Sequence, residues 1–241
     1  MLTQKSVMFS SKQHSLVKQR ISLLRNQNKE IDYFFSKLEE YGDLILIGGA
    51  VRDIGMFNIT PRDLDIIVNT TMLNLDNAFL QYNYHRNRFG GYKTVINSVE
   101  FDVWTINDNW AFKNNFLEPN IENIQHGAFY NIDSILVNLS GNYYEASYFN
   151  EAIEKRILDI ILEDDLINEN PSKEVNVLRA FVLKDKWELT FSNKLKNYID
   201  LWLRTTVNPY SELEKAHYKH YKNQILNKRI LSSIEEVLIY A

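Results

Sequence analysis

The sequence predicts an α/β (α+β) fold: a head built on a mixed β-sheet, followed by an all-helical carboxy-terminal part. Three observations carry this. Residues 44–68, LILIGGAVRDIGMFNITPRDLDIIV, read as a strand, a glycine pair, a helix and a second strand. Residues 92–106 alternate apolar and polar side chains about a tight Asn97-Ser98 turn, the pattern of a β-hairpin. From Pro171 the periodicity becomes helical and stays so, with segments at 172–187, 192–203, 210–226 and 228–240. The expected division is therefore residues 1–170 and 171–241.

Taken in order, residues 12–26 place Leu16, Ile21, Leu23 and Leu24 at roughly helical spacing. Residues 29–41 place Ile31, Phe34, Phe35 and Leu38 on one side before Gly42, a natural C-terminal stop. Both helices are expected to pack on the sheet that begins at Leu44. Beyond the strand ending at Val68, residues 72–82 read as a crossover helix. After the hairpin, residues 107–120 have little periodicity and read as a loop with buried aromatics, and 123–130 as a short helix. Residues 132–139 read as a strand, Gly141-Asn142 as a turn and 143–148 as the partner strand.

Composition sets the class. The 241 residues are 45% hydrophobic and 24% charged, with eight Gly and four Pro, which is long enough and apolar enough for a substantial core. No apolar run approaches the roughly 20 residues that span a bilayer. The first residues, MLTQKSVMFSSKQ, lack the apolar core of an export signal, so a cytoplasmic protein with no membrane partner is expected. With no cysteine, disulfides, thiolate zinc sites and cysteine nucleophiles are excluded.

The net charge of −4 argues against a general nucleic-acid binder, but its distribution is uneven. Residues 1–29 contain no Asp or Glu, while Lys5, Lys12, Lys18, Arg20, Arg25 and Lys29 are basic. Near the other end Lys215, Lys219, Lys222, Lys228 and Arg229 are interleaved with His217, Tyr218, His220 and Tyr221. Such basic ends offer charge to a phosphate backbone and rings to stack on bases. The alternative is a solvated helix face with its tyrosines packed inward.

The chemistry concentrates in residues 44–68. Asp63 and Asp65 flank Leu64 on a strand, so both carboxylates leave the same face. Side by side they repel each other unless a cation lies between them. Hard oxygen ligands at this spacing suit Mg²⁺, which takes one or two protein carboxylates together with substrate phosphates. Gly48 and Gly49 lack Cβ atoms, so a phosphate can approach their backbone, and the following helix presents free N–H groups at its positive end. Arg52 offers charge-assisted hydrogen bonds to phosphate or sugar. Asp53 sits in the first helical turn and reads as a structural cap.

In that order, GGAVRD followed by RDLD resembles the signature of the nucleotidyltransferase superfamily, in the branch of bacterial poly(A) polymerases and CCA-adding tRNA nucleotidyltransferases. The resemblance implies a nucleotidyltransferase head across residues 1–170 and a helical neck from 171. It also implies a third carboxylate on a strand beside the Asp-x-Asp strand. Phe101-Asp102-Val103 has that form, with Glu100 as the reserve and a plain edge-strand acid as the alternative. Asp63, Asp65 and Asp102 would then be both catalytic and metal-binding, holding two Mg²⁺ ions against the triphosphate of an NTP.

The likeness weakens along the chain. Residues 129–160 resemble the family's second motif region, with Ile132-Asp133-Ser134-Ile135 in the place of Ile-Asn-Ala-Leu. The preceding Arg-Asp pair is replaced by Ala128 and Phe129, leaving Asp133 as a partial substitute in holding the nucleotide, or simply as a turn cap. Residues 175–191 resemble the neck, whose Glu-Asp-x-x-Arg motif reads the base edge. Ser172, Lys173 and Asn176 occupy those positions here, and only the later Arg179 matches. The tRNA-gripping helices of that family find no room in 241 residues. The expected activity is Mg²⁺-dependent transfer of a nucleoside monophosphate from an NTP to a hydroxyl acceptor, foremost a tRNA-like RNA 3′ end. Transfer to a small-molecule or protein hydroxyl, or an inert nucleotide-binding module, are the alternatives.

Overall fold

A computed structural model of the chain describes residues 7–87, 89–108, 110–113, 117–221 and 234. It divides into two compact units, Met1–Ala128 with Ile132–Glu151, and Phe129–Asn131 with Ala152–Ala241.

The first unit is built on a seven-stranded sheet. Its strands are β1 (Leu44–Ile47), β2 (Asp63–Val68), β3 (Tyr84–Arg86), β4 (Tyr92–Ile96), β5 (Val99–Thr105), β6 (Leu136–Asn138) and β7 (Tyr144–Glu145). They lie in the order β3-β4-β5-β2-β1-β6-β7. Neighbours are antiparallel except β2 and β5, which run parallel, so the sheet is mixed as expected.

Alternation gives the sheet two unlike faces. Leu64, Ile66, Phe101, Val103 and Tyr92 are buried on one. Against it lies α2 (Lys29–Glu39), capped by the Asn28 side chain, with Phe34 and Phe35 edge-on to Phe101 at 5.0 and 5.9 Å. Phe79 of α4 (Met72–Phe79) stacks on Tyr92 at 4.6 Å. Helix α1 (Ser11–Gln27) packs on α2 and on α3 (Gly49–Phe57). The other face is divided along β2. At its carboxy-terminal end Ile45, Ile67 and Leu136 form a cluster with Ile106, Phe112 and Ile124. At its amino-terminal end the same face carries Asp63 and Asp65.

Several local expectations are corrected. Helix α1 buries His14, Val17 and Ile21, whereas Leu23 is 41% exposed, so its inward stripe is rotated from the one read off the leucines. The strand expected over 132–139 covers only Leu136–Asn138, because Asn131–Asp133 winds into a 3-10 turn. The partner expected over 143–148 is cut to Tyr144–Glu145, since α6 (Ser147–Lys155) starts at Ser147. The loop expected at 107–120 contains the short α5 (Trp110–Lys113), and the helix expected at 123–130 is a 3-10 turn, Ile124–Gly127.

The second unit holds β8 (Ile157–Leu158) paired in parallel with β9 (Thr190–Phe191), and helices α7 (Asp164–Glu169), α8 (Lys173–Trp187), α9 (Asn193–Thr205) and α10 (Pro209–Tyr221). Helix α8 packs on α10 and β8, buries Val177, Leu178, Phe181 and Trp187, and ends where Glu188 turns left-handed at φ 56°. The helix expected at 228–240 lies, apart from Ile234, outside the described residues, as do Lys5, Lys222, Lys228 and Arg229. Among the described residues no helix is long and apolar enough to cross a membrane.

Candidate active site

The site begins where β1 ends. Ile47 is the partner of Asp65 across the β1–β2 pairing, and the chain turns immediately afterwards at Gly48 and Gly49. Gly48 has φ 68° and ψ −136°, a conformation that a side chain would strain. Its N–H donates to the Ile135 carbonyl at 2.9 Å, which ties the turn to the segment before β6. That N–H, expected to face a phosphate, is thus already used. The first intrahelical bond of α3 runs from Arg52 N–H to the Gly48 carbonyl, at 3.2 Å. The N–H groups of Gly49, Ala50 and Val51 therefore have no carbonyl within the helix to bond, and Gly48 brings no side chain to cap them. These three, rather than Gly48, are the donors an anion would meet.

Beside the turn, the parallel pairing of β2 and β5 aligns Asp63 with Glu100 and Asp65 with Asp102. Partners in register share a face, so four carboxylates leave the sheet together. Their neutralisation is visible. Arg62 Nη2 lies 2.7 Å from Asp63. Lys93, the β4 partner of Asp102, reaches Asp102 at 2.8 Å and Glu100 at 3.0 Å. Asn87 Nδ2 donates to the second oxygen of Asp102 at 3.0 Å. Burial alone would lower the pKa of the Lys93 ammonium, but the hydrogen bonds and charges of Asp102 and Glu100 outweigh it and raise the pKa above its ordinary value. Lys93 stays charged.

Arg52 is 5% exposed. Its guanidinium pairs with Asp53 at 3.1 Å and with Asp133 by a short contact, so α3 and the 3-10 turn before β6 are clamped together. Asp53 serves this clamp as well as the helix end. The structure thus joins Arg52 to Asp133, two of the expected nucleotide-binding residues, by drawing their charges to each other. Arg179 lies on α8 in the second unit.

The donor set on this face suits a hard divalent cation. Among the described residues, however, no three His, Cys, Asp or Glu side chains converge closely enough to hold a metal ion. Two carboxylates completed by phosphate oxygens fit the geometry better than an all-protein cage.

No protein-family model matches the chain, and no curated protein matches it. Solved structures do. A CCA-adding enzyme from Thermotoga maritima complexed with tRNA matches at a TM-score of 0.62 over 92% of this chain and 54% of that one, with 14% identity. A CCA-adding enzyme with ATP matches at 0.60 over 91% and 53%, also at 14%. A tRNA nucleotidyltransferase with a primer tRNA and an ATP analogue matches at 0.57 over 82% and 57%, at 16%. The chain shares its fold with these structures. The chain spans about half the length of the solved structures it matches. Within this fold the glycine turn and the aligned carboxylates sit on adjacent strands, at one end of the sheet.

Lys93 and Asn87 escaped the reading of the sequence. A lysine alternating on a strand looks like a solvated side chain, and only the β4–β5 register shows that it opposes Asp102.

Proposed function

We propose that this chain is a metal-dependent nucleotidyltransferase, moving a nucleoside monophosphate from an NTP to a hydroxyl acceptor, with an RNA 3′ end as that acceptor. The observation that supports it is one of register. Ile47 pairs with Asp65 and Asp65 with Asp102, so the glycine turn, the uncapped start of α3 and the carboxylate row lie side by side in a head fold shared with enzymes whose structures hold ATP, CTP and tRNA.

In this reading the N–H groups of Gly49, Ala50 and Val51 hold a phosphate of the NTP, and the Gly48 turn lets the backbone approach it. The Arg52–Asp133 clamp fixes that turn and so positions the donors. Asp63 and Asp65 would hold Mg²⁺, which when bound would supply charge to offset that of the phosphates and would make an acceptor hydroxyl more acidic. The acceptor oxygen bonds to the α-phosphorus, the bond from that phosphorus to the bridging oxygen breaks, pyrophosphate leaves, and the hydroxyl proton passes to solvent. Asp102 stands as the third carboxylate of the face. Arg179 and the basic helix residues Lys215 and Lys219 are assigned to nucleotide and RNA, and residues 1–170 and 171–241 to head and neck.

Incubation with each α-labelled NTP, Mg²⁺ and total RNA tests this. Label is expected at an RNA 3′ end and is expected to vanish in Asp63→Ala/Asp65→Ala. Label on protein or on small molecules instead would change the acceptor. Calorimetry showing unchanged Mg²⁺–NTP binding in that double variant, with transfer retained, would remove the site assignment.

A further inference from the structure

Asp102 was expected to be a metal ligand, yet both of its oxygens are taken by donors of this chain. Lys93 Nζ lies 2.8 Å from Oδ2, and Asn87 Nδ2 donates to Oδ1 at 3.0 Å. The amide of Asn87 is itself fixed, because its Oδ1 accepts from the Phe89 and Gly91 N–H groups at 2.9 and 3.0 Å. The ammonium also bonds Glu100 at 3.0 Å, so it bridges the two acids of β5 from the facing strand. Asp102 is 7% exposed. A cation arriving there must displace a partly buried ammonium, and a divalent ion placed beside that ammonium would be repelled by it at close range. No third carboxylate joins Asp63 and Asp65 to make a protein cage among the described residues. Two carboxylates plus phosphate oxygens are the usual complement of a nucleotide-bound Mg²⁺.

We propose that Lys93 is the resident cation of the carboxylate face: Asp102 and Glu100 anchor its ammonium, and the chain takes one divalent ion, at Asp63 and Asp65, rather than two. This rests on the nucleotidyltransferase reading above. Lys93 supplies permanently one positive charge at the place where a second ion would come and go. It is a positioning residue, acting through Asp102 and the local field.

Counting bound Mn²⁺ by equilibrium dialysis, with a non-hydrolysable NTP analogue in excess, tests this. One ion per chain is expected. Two ions in the wild-type protein would overturn the inference alone, whereas none would overturn the underlying site reading and this inference with it. In Lys93→Met, where the β5 acids lose their ammonium, a second, weaker ion is expected, and its absence in a protein with an intact fold counts against the proposal. The double variant Lys93→Met/Asp102→Asn removes the ammonium and the more buried of its two acids while keeping size, so only the more exposed Glu100 loses its partner, which guards against a folding failure. It is expected to bind its single Mn²⁺ within about threefold of wild type. A tenfold or greater loss would make Asp102 a ligand and end the proposal. Asp65→Asn should lose the ion in every background.

Discussion

Gly91 shows how closely side chains crowd the carboxylate face. A Cβ placed there would lie 2.2 Å from the Trp104 Nε1 and 2.4 Å from its Cε2. Trp104 sits two residues past Asp102 on the same face of β5. Gly91→Ala should therefore destabilise by about 1–3 kcal/mol, the usual range for overpacking. Urea unfolding checks this, and a change below about 0.5 kcal/mol would mean that the indole moves aside at little cost. Arg52 is the second residue where a single change is informative. It is buried between Asp53 and Asp133, so Arg52→Met leaves two carboxylates without their guanidinium. The expected loss is about 3–5 kcal/mol. At the carboxylate face, alternation in the sequence puts Asp63 and Asp65 on one side of a strand, as the structure has them, whereas Asp102 enters only through the family resemblance. The sequence did not show that the charges of Arg52 and Asp133 cancel, because 81 positions separate them and only the fold brings them together.

Elements were legible in proportion to the strength of their periodicity. Ile31, Phe34, Phe35 and Leu38 mark α2 without ambiguity, and all four are fully buried. Phe101 meets Phe34 and Phe35 beneath β5, so Phe101→Ala should cost about 3–5 kcal/mol in urea unfolding. Val95→Ala, on a side chain 60% exposed, should cost less than about 0.5 kcal/mol. Helix α1 falls where its periodicity puts it along the chain, but its inward stripe is rotated, keeping Ile21 and turning out Leu23, and a histidine occupies one of its inward positions. His14 is 8% exposed, stacks on Tyr144 at 5.1 Å, and its Nε2 is buried with no partner. Burial first, and the charge of Lys18 second, lower its pKa below 6.5. The folded state therefore binds this proton less readily than the unfolded chain. The stabilisation is complete above about pH 6.5 and is lost as pH falls through and below that value. Thermal melts at pH 7.5 and pH 5 should show a drop that is smaller in His14→Phe; equal drops in both proteins would place the titrating group elsewhere. The short strands β3 and β7 were missed or overextended, because two or three residues carry too little alternation to read.

At the scale of the whole molecule, the strand–glycine–helix–strand order and the hairpin at 92–105 follow from the sequence, but the sheet order does not. That β5 lies parallel to β2 depends on α4, β3 and β4 carrying the chain around, which no local pattern records. The second unit carries the prediction about specificity. Ordered addition of C, C and A to tRNA needs a protein template whose hydrogen-bonding groups match two different base edges. Discrimination arises because the wrong base leaves buried polar groups unpaired. At the positions aligned with the family's Glu-Asp-x-x-Arg motif this chain has Ser172, Lys173 and Asn176. The side-chain amide of Asn176 donates to Asn170 at 3.1 Å, its backbone carbonyl accepts from the Tyr130 hydroxyl at 2.7 Å, and Ser172 is buried at 4% exposure, so this stretch is packed within its own unit. Lys173 has only donors and cannot accept a hydrogen bond from an exocyclic amine as a carboxylate would. With Arg179 as the one matching residue, the expected outcome is a different or a loose nucleotide preference. A gel assay on tRNA lacking its CCA end, with CTP and ATP supplied singly and together, decides the matter. The wild-type chain should fail to add the ordered triplet. Faithful addition of three nucleotides followed by arrest would show that a template exists elsewhere in the chain.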